Sequence, residues 1–299
     1  MKNILIAGGT GLIGTKLSQL LRGQGYNVRH LSRTADPNAE FPTFAWQPDK
    51  GTYDTKAFQN VDAIINLAGA GIVDKRWTAA RKKVIIESRT MSNALIAHFL
   101  ENEKHTVKAY ISASAIGFYA DRGAHLMTES DVAGKGFLAE STVAWENAIE
   151  KVRQTSVRTV VLRIGIVLCT EGGALPEMLK PFMVRTGVYF GNGEQFISWI
   201  HIDDLVRMFQ FAFENEKISG IFNAVAPEPV TNYAFTKAIS EAKGGSYLLL
   251  PAPAFTLRLA MGEMADTVLG STNVSSQKIE NQEFTFDYTT ALAALKSLL

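Results

Sequence analysis

The sequence predicts an α/β protein, with a doubly wound parallel sheet followed by a smaller C-terminal lobe. The stretch Lys2–Ala7 is a short apolar run, and a glycine-rich turn and a helical pattern of leucines follow it at once. Short apolar runs return at residues 62–69, 108–114 and 159–164, with longer helical patterns between them. Strands that alternate with helices indicate a parallel sheet covered on both faces. After residue 164 the regular alternation stops, and glycines and prolines become frequent.

Composition narrows the classes of function. Of the 299 residues, 46% are apolar and 20% are charged, and the formal net charge is +1. This ordinary balance gives no reason to expect nucleic acid or a membrane as a partner. The single cysteine, Cys169, cannot form an internal disulfide, and the five scattered histidines predict no metal site. Because the first apolar run is also too short for a secretory signal, we expect a cytoplasmic protein.

The glycine-rich turn reads G-x-x-G-x-x-G between an apolar strand and a helix, which is the context expected of a dinucleotide site. Gly8 permits a tight turn, Gly11 lets the backbone approach a pyrophosphate, and Gly14 lets the helix pack closely. The free N–H groups at the start of the helix would bind the phosphates. The alternative is a glycine-rich turn of an ordinary α/β domain. The predicted contact residues are Gly8, Thr10, Gly11, Leu12, Ile13 and Gly14.

The second strand, Tyr26–Leu31, ends in Ser32 and Arg33, and this position distinguishes the two nicotinamide dinucleotides. An acidic residue here would bind the ribose 2′-hydroxyl of NAD, whereas an arginine can pair with the 2′-phosphate of NADP. No acidic residue occurs over residues 25–34. We therefore predict NADP(H) as the cofactor. The alternative is that Arg33 is a solvated surface charge.

The strand over residues 62–69 supplies a further part of the predicted crevice. It ends in Leu67, Ala68 and Gly69. Because the carboxyl ends of parallel strands line the ligand crevice, these residues should lie against the adenine-ribose half of the cofactor. A long helix follows over residues 77–101, and Arg89 within it can reach back toward the cofactor or a neighbouring loop.

The later elements are assigned from periodicity and turn residues. The strand over residues 108–114 ends in Ser114, and Tyr119 follows after a short turn. Asp203 is expected to cap the helix that opens at Trp199. The other predicted elements are strands at 41–46, 159–164 and 221–223 and helices at 53–59, 136–154, 231–242, 255–265 and 289–298.

Several motifs recur in a characteristic order, namely GGTGLIG at residues 8–14, NLAG at 66–69, ISASA at 111–115 and WIHIDDL at 199–205. In this order they resemble the extended short-chain dehydrogenase/reductases, a group that includes sugar-nucleotide epimerases and dehydratases. The resemblance is closer to an atypical branch, whose members are called NAD-dependent epimerase/dehydratase family proteins. The motifs typical of that branch are RW at 76–77, ESR at 87–89, PEPVTN at 227–232, PAP at 251–253 and GEM at 262–264.

The resemblance implies a Rossmann core over residues 1–170, to which residues 199–225 return. It implies a substrate lobe with a C-terminal extra segment over residues 171–299. The implied activity is redox chemistry or epimerisation at a carbinol centre of a small polar substrate, for which a nucleotide sugar is one candidate, in a monomer or homodimer. Beyond the glycine turn, the implied NADP contacts are Ser32, Arg33, Leu67 and Ala68, and on the resemblance alone Val84, Arg89 and Val167.

The chain departs from that family at the residues that move the proton. Ordinary members combine a serine or threonine with a tyrosine and a lysine four residues apart on a helix. Ser114 holds the serine position, but Phe137 or Leu138 replaces the tyrosine, and Ser141 or Thr142 replaces the lysine. Three hypotheses follow: a relocated acid, an NADP-binding sensor or scaffold without turnover, or chemistry that needs only a polar orienting group. Candidates for the acid are Tyr119, Glu140, Lys135 and His201, and we predict Ser114 and Tyr119 as catalytic.

Overall fold

The computed structural model describes residues 1–36 and 38–299, and it confirms the predicted α/β class. Strands and helices alternate over roughly the first half of the chain, as the apolar runs predict. The strands are β1 (Asn3–Ala7), β2 (Asn27–Ser32), β3 (Thr43–Gln47), β4 (Thr52–Tyr53), β5 (Ala63–Asn66), β6 (Ala109–Ala115), β7 (Arg158–Ile164), β8 (Ile166–Leu168), β9 (Thr186–Phe190), β10 (Phe196–Ile197), β11 (Trp199–His201), β12 (Gly220–Ala224), β13 (Val230–Thr231) and β14 (Leu248–Ala252).

Most helices follow the predicted positions with small shifts at their ends. The helix predicted over 53–59 is wrong, because the chain forms only a 3-10 turn at Thr55–Phe58, and the helix predicted to open at Trp199 begins at Ile202, after the strand Trp199–His201. The helix predicted over 255–265 is interrupted where Gly262 adopts a φ of +60°, and a short 3-10 turn follows it. The helices are α1 (Leu12–Gly23), α2 (Ala79–Asn102), α3 (Phe137–Arg153), α4 (Ala174–Leu179), α5 (Ile202–Glu214), α6 (Asn232–Ala242), α7 (Ala254–Met261), α8 (Asp266–Leu269), α9 (Gln277–Glu280) and α10 (Ala291–Leu298). No helix in the described part of the chain combines the length and the apolar character needed to cross a bilayer.

The central sheet has eight strands in the order β12-β7-β6-β5-β1-β2-β3-β4. All neighbours are parallel except β3 and β4. From β1 the strands proceed in one direction through β2 and β3, and in the other through β5, β6 and β7. Because crossovers between parallel strands are right-handed, this reversal places helices on both faces of the sheet. Accordingly α1 packs on α5, and α2 packs on α3.

Buried hydrophobic residues of the described chain form two larger cores and a small third cluster, which includes Ile116, Met127 and Val274. The large core lies around the central sheet, where the run Ile4–Ala7 is fully buried between the helical layers. The second core lies in the C-terminal half and includes Trp199, Phe235 and Leu295. The division into a core domain and a lobe at residue 170 stays a prediction, since β12 joins the large sheet from the later part of the chain.

The prediction of the residue that caps α5 is wrong by two positions. His201, not Asp203, occupies the N-cap, and its Nδ1 accepts a hydrogen bond from the backbone N–H of Asp203 at 3.1 Å. Asp203 already lies in the first helical turn, where its charge favours the positive end of the helix dipole. A histidine ring nitrogen can accept a hydrogen bond from a free N–H at the helix start, as an aspartate does. The sequence alone does not reveal that a histidine takes this role here.

Candidate cofactor and substrate site

The glycine turn has the geometry that its spacing predicts. Gly8 directly follows β1 and adopts a φ of +77°, a conformation that side chains rarely allow. Its carbonyl accepts a hydrogen bond from the N–H of Gly11 at 3.1 Å, which closes the turn. A Cβ on Gly14 would lie 2.3 Å from that carbonyl oxygen, so only glycine lets α1 pack so closely. Gly11 is the N-cap of α1, and no side chain caps the first N–H groups of this helix.

The turn after β5 lies directly against this glycine turn. A Cβ on Gly8 would be 2.8 Å from the carbonyl carbon of Leu67 and 3.0 Å from the nitrogen of Ala68. Asn66 fixes the turn, because its side-chain oxygen accepts the N–H of Ala68 at 3.1 Å and its amide donates to Tyr110 at 2.9 Å. These hydrogen bonds thus hold the backbone of residues 66–69 against the glycine turn.

Arg89 is a buried cation beside this crevice. It is 9% exposed, its guanidinium carbon lies 4.9 Å from the ring centroid of Trp145, and a Cβ on Gly69 would be 3.0 Å from that carbon. Within the described residues it forms no ion pair, and its Nη1 donates to the carbonyl of Ile85 at 3.0 Å. Burial lowers its pKa to about 10. An anionic group of a ligand would relieve this desolvated charge.

Ser32 and Arg33 lie at the carboxyl end of β2, beside β1. Ser32 is half-buried and pairs with Ala45 of β3, whereas Arg33 is exposed and forms no ion pair with the described part of the chain. Its guanidinium is therefore available to a phosphate. Of the residues named from the resemblance, Val84 lies on α2 with its side chain 46% exposed.

The loop that follows β8 faces the start of α1. Lys16 pairs with Glu171 across the gap at 2.7 Å. A cavity of about 360 Å³ lies between the glycine turn and this loop, with Thr10, Gly11 and Gly172 in its walls. Val167 lies behind the loop, because a Cβ on Gly173 would be 3.7 Å from its carbonyl oxygen. The N-terminal end of α1 is thus partly enclosed.

Ser114 and Tyr119 belong to one buried network. Ser114 contacts Glu146 of α3 at 2.6 Å, and Glu146 pairs with Arg163 through two bonds of 2.8 and 2.7 Å. Arg163 also donates to the Tyr119 hydroxyl at 2.9 Å, and that hydroxyl donates to Asn223 at 2.7 Å. Tyr119 is fully buried, and burial raises its pKa. Its catalytic role stays a prediction, and its position is unfavourable for contact with a substrate.

The network fixes the direction of each hydrogen bond. A carboxylate accepts hydrogen bonds and donates none, so Ser114 must donate its proton to Glu146. Burial opposes the charge on Arg163, but the hydrogen bonds to Glu146 outweigh it and leave the pKa of Arg163 raised. The lone pairs of Ser114 are then the only part of its hydroxyl left for a ligand. Ser114 is 2% exposed, so any such contact would be narrow.

A second cavity, of about 310 Å³, lies beside Leu138, one of the two residues in place of the expected tyrosine. Lys135 lines this cavity, whereas Glu140 and His201 do not. Glu140 is exposed on α3, and His201 is buried as the cap of α5. Among the four candidates for a relocated acid, the structure thus places Lys135 at the cavity. Sequence reasoning missed Asp121, in the loop after β6, and Asp266, the first residue of α8, which line the cavity from distant parts of the chain.

This fold and crevice define a Rossmann-type nucleotide-binding protein of the short-chain dehydrogenase/reductase class. Residues 4–224 match the model of the NAD-dependent epimerase/dehydratase family, and residues 252–298 match a domain of unknown function, DUF1731. The chain belongs to the NAD-dependent epimerase/dehydratase family. This confirms the family inferred from the sequence motifs.

Three relatives illustrate the similarity. The epimerase family protein Mb2239 of Mycobacterium bovis is 36% identical over 294 residues, which cover 98% of this chain and 96% of the relative. The crystal structure of human epimerase family protein SDR39U1 (isoform 2) with NADPH has a TM-score of 0.88 and 30% identity, over 99% of this chain and 98% of that chain. The nucleoside-diphosphate sugar epimerase of Corynebacterium glutamicum has a TM-score of 0.80 and 31% identity, over 100% of this chain and 58% of that chain.

Proposed function

We propose that the protein binds NADP(H) along the crevice of β1 and α1 and acts on a small polar substrate at a carbinol or carbonyl centre. The observation that carries this proposal is the glycine turn, in which Gly8 and Gly14 bring the uncapped start of α1 against β1. Such a helix start binds phosphates. The buried charge of Arg89 and the free guanidinium of Arg33 give two further anion contacts. The human relative with NADPH supports the choice of cofactor.

The reaction needs a proton as well as a hydride. The bound dinucleotide would supply or accept the hydride at its nicotinamide. Lys135 lines the cavity beside Leu138 and would donate a proton to the carbonyl oxygen during reduction, or accept it during oxidation. Ser114 would accept a hydrogen bond from the substrate hydroxyl, because its own proton is held by Glu146. A nucleotide sugar is one candidate substrate, and the name of the Corynebacterium glutamicum relative favours it.

The choice of cofactor is tested at Arg33. We expect Arg33→Ala to weaken NADPH binding at least tenfold and to leave NADH binding within twofold, because NADH lacks the 2′-phosphate. A charge-assisted bond to phosphate contributes about 1.5–3 kcal/mol, which corresponds to that loss. The measurement is fluorescence titration of both dinucleotides.

Lys50→Ala is the matched control, because Lys50 is an exposed cation near the same edge of the sheet. It should leave both affinities unchanged. If the unaltered protein binds NADH as tightly as NADPH, or if Arg33→Ala weakens both equally, the assignment of NADP is wrong.

The second candidate function is binding of NADP(H) without turnover, as a sensor or scaffold. The buried network favours it, because the hydroxyl groups of Ser114 and Tyr119 both donate their protons to hydrogen bonds within the protein. Turnover distinguishes the two functions. NADPH oxidation with a panel of carbonyl compounds and sugar nucleotides, abolished by Lys135→Ala, would support the enzyme. NADPH that raises the unfolding temperature but is never oxidised would support the sensor or scaffold.

A further inference from the structure

We propose that Tyr110 and Asn93 are positioning residues for the cofactor, because buried hydrogen bonds through them hold the turn after β5 and helix α2 where both would contact NADP(H). This inference rests on the proposed function, since it names further residues of the same cofactor site. Both side chains are fully buried, so neither residue itself forms the surface of the crevice. They act through Asn66, which ends β5, and through Arg89 of α2.

The side chain of Tyr110 connects three elements. Tyr110 is the second residue of β6, and its backbone pairs with Ile64 of β5, two residues before Asn66. The long ring spans this distance, so that its hydroxyl accepts a hydrogen bond from the amide of Asn66 at 2.9 Å and donates one to the side-chain oxygen of Asn93. We name Asn66, Tyr110 and Asn93 the Tyr110 network. It joins β5 and β6 to α2.

Only one arrangement of protons satisfies the Tyr110 network. The side-chain oxygen of Asn66 accepts the N–H of Ala68 at 3.1 Å, so the amide nitrogen of Asn66 must face Tyr110 as a donor. The Tyr110 hydroxyl must then donate to the oxygen of Asn93, whose amide donates to the carbonyl of Arg89 at 2.8 Å. Burial raises the pKa of Tyr110, so the hydroxyl keeps its proton. Rotation of any one of these side chains would leave a buried polar group without a partner.

Two serines of α2 attach the helix to the same turn. The hydroxyl of Ser88 accepts the N–H of Ala70 at 3.0 Å, and the hydroxyl of Ser92 accepts a second amide hydrogen of Asn66 at 3.3 Å. Each serine donates its own proton to a carbonyl of the preceding helical turn, so both hydroxyls donate and accept. The turn after β5 is therefore fixed to two successive turns of α2.

The Tyr110 network also determines where Arg89 lies. Asn93 follows Arg89 by four residues on the same side of α2, so fixing Asn93 fixes the position of Arg89 along and around the helix axis. The guanidinium of Arg89 lies beside the turn, since a Cβ on Gly69 would be 3.0 Å from its carbon. A turn and a cation that are fixed to each other can bind a dinucleotide without reorganisation, and such preorganisation raises affinity.

Tyr110→Phe tests the proposal, because it removes the hydroxyl and keeps the buried ring. The amide of Asn66 then loses its acceptor, and the turn gains freedom. We expect NADPH affinity to fall about fivefold or more, and the N–H of Ala68 to exchange with solvent about tenfold faster without cofactor. Fluorescence titration and hydrogen exchange followed by NMR measure the two effects. Both are recorded where circular dichroism shows every variant folded, so a loss of stability alone does not change the affinity.

Thr159→Val is the matched control. Thr159 pairs with Tyr110 from the neighbouring strand β7 and is also buried, and its hydroxyl donates to the carbonyl of Val157 at 3.1 Å. This variant loses a buried hydroxyl at the same level of the sheet, but one that contacts neither the turn nor α2. It should leave both the NADPH affinity and the exchange of Ala68 within about twofold of the unaltered protein.

Asn93→Leu tests whether the two residues act as one unit. Each single variant breaks the same connection between the turn and α2. The double variant should therefore bind NADPH no more than about twofold more weakly than the weaker single variant. Losses that multiply in the double variant would overturn the inference. Tyr110→Phe and the exchange of Ala68 decide the question even if Asn93→Leu does not fold.

The outcomes separate this inference from the proposed function. If the unaltered protein binds NADPH and Tyr110→Phe binds it as tightly as Thr159→Val does, the inference is overturned while the proposed function stands. If the unaltered protein does not bind NADPH, the proposed function fails and the inference fails with it.

Discussion

The glycines at the crevice are required for different structural reasons. Gly8 adopts a positive φ, whereas Gly14 is required because a side chain would meet backbone atoms. Gly9 was not singled out in the motif, yet a Cβ on it would lie 2.2 Å from the His30 ring. That ring is buried, accepts or donates a bond with Ser18 at 2.8 Å and stacks on Phe41. The sequence spacing reveals the turn but not this packing, which depends on the second strand.

Gly14→Ala should disrupt the cofactor site. The new Cβ would lie 2.3 Å from the carbonyl oxygen of Gly8, and neither backbone can yield without moving the turn. We expect the free energy of unfolding to fall by about 2 kcal/mol and NADPH affinity to fall at least tenfold. Urea unfolding and fluorescence titration measure the two effects.

Gly23→Ala is the control on the same helix. No atom lies within 4 Å of a Cβ at Gly23, and its backbone is helical. We expect unchanged NADPH affinity and a gain of up to about 1 kcal/mol in the free energy of unfolding. Equal losses of affinity in the two variants would contradict the close-packing argument.

At the scale of elements, helix α3 has a different role from the one its family position suggests. In ordinary members it would carry the tyrosine and the lysine, but here Leu138 and Thr142 stand on its inner side, and Thr142 bonds back to the carbonyl of Leu138 at 2.8 Å. Two turns after Leu138, Glu146 joins α3 to β6 and β7 through Ser114 and Arg163. The helix thus holds two strands in register at the crevice.

Glu146→Gln should destabilise the protein strongly. The side chains of Glu146 and Arg163 are 12% and 3% exposed, and the substitution would leave the buried guanidinium without a countercharge. Breaking a buried pair in this way costs about 3 kcal/mol. Glu150→Gln is the control on the same helix, because Glu150 pairs with Arg153 at the surface and should contribute less than about 1 kcal/mol. Similar losses in urea unfolding for both variants would refute the structural role of the network.

At the scale of the whole molecule, burial of neutral histidines couples folding to pH. Burial lowers the pKa of His30 to about 4 and also lowers the pKa of His201. The unfolded chain binds these protons near pH 6.5, and the folded chain does so only at lower pH. The contribution of these neutral histidines to the free energy of unfolding is therefore fully present above pH 6.5, and it declines as the pH falls toward 4.

This pH dependence can be measured at His30. Between pH 7.5 and pH 5 its share of the loss should be about 2 kcal/mol. His30→Gln keeps a group able to bond Ser18 but cannot titrate, so the decline between these two pH values should be smaller by that amount. His98→Gln, at an exposed position, should keep the full decline. A slope unchanged by His30→Gln would show that this ring is not the source.

The sequence by itself determined what local patterns encode. The apolar runs and the glycine spacing predict the sheet and the turn at residues 8–14, and the sequence shows that Arg33 follows the second strand. The resemblance to the family shows that the usual tyrosine and lysine are missing. Only the tertiary structure decided the rest. Glu146 joins Ser114 across 32 residues, and Glu263 joins Lys82 across 181. Periodicity and turn chemistry act over a few residues, whereas these contacts exist only when packing brings distant segments together, so the buried network and the cavity beside Leu138 leave no mark in the local sequence.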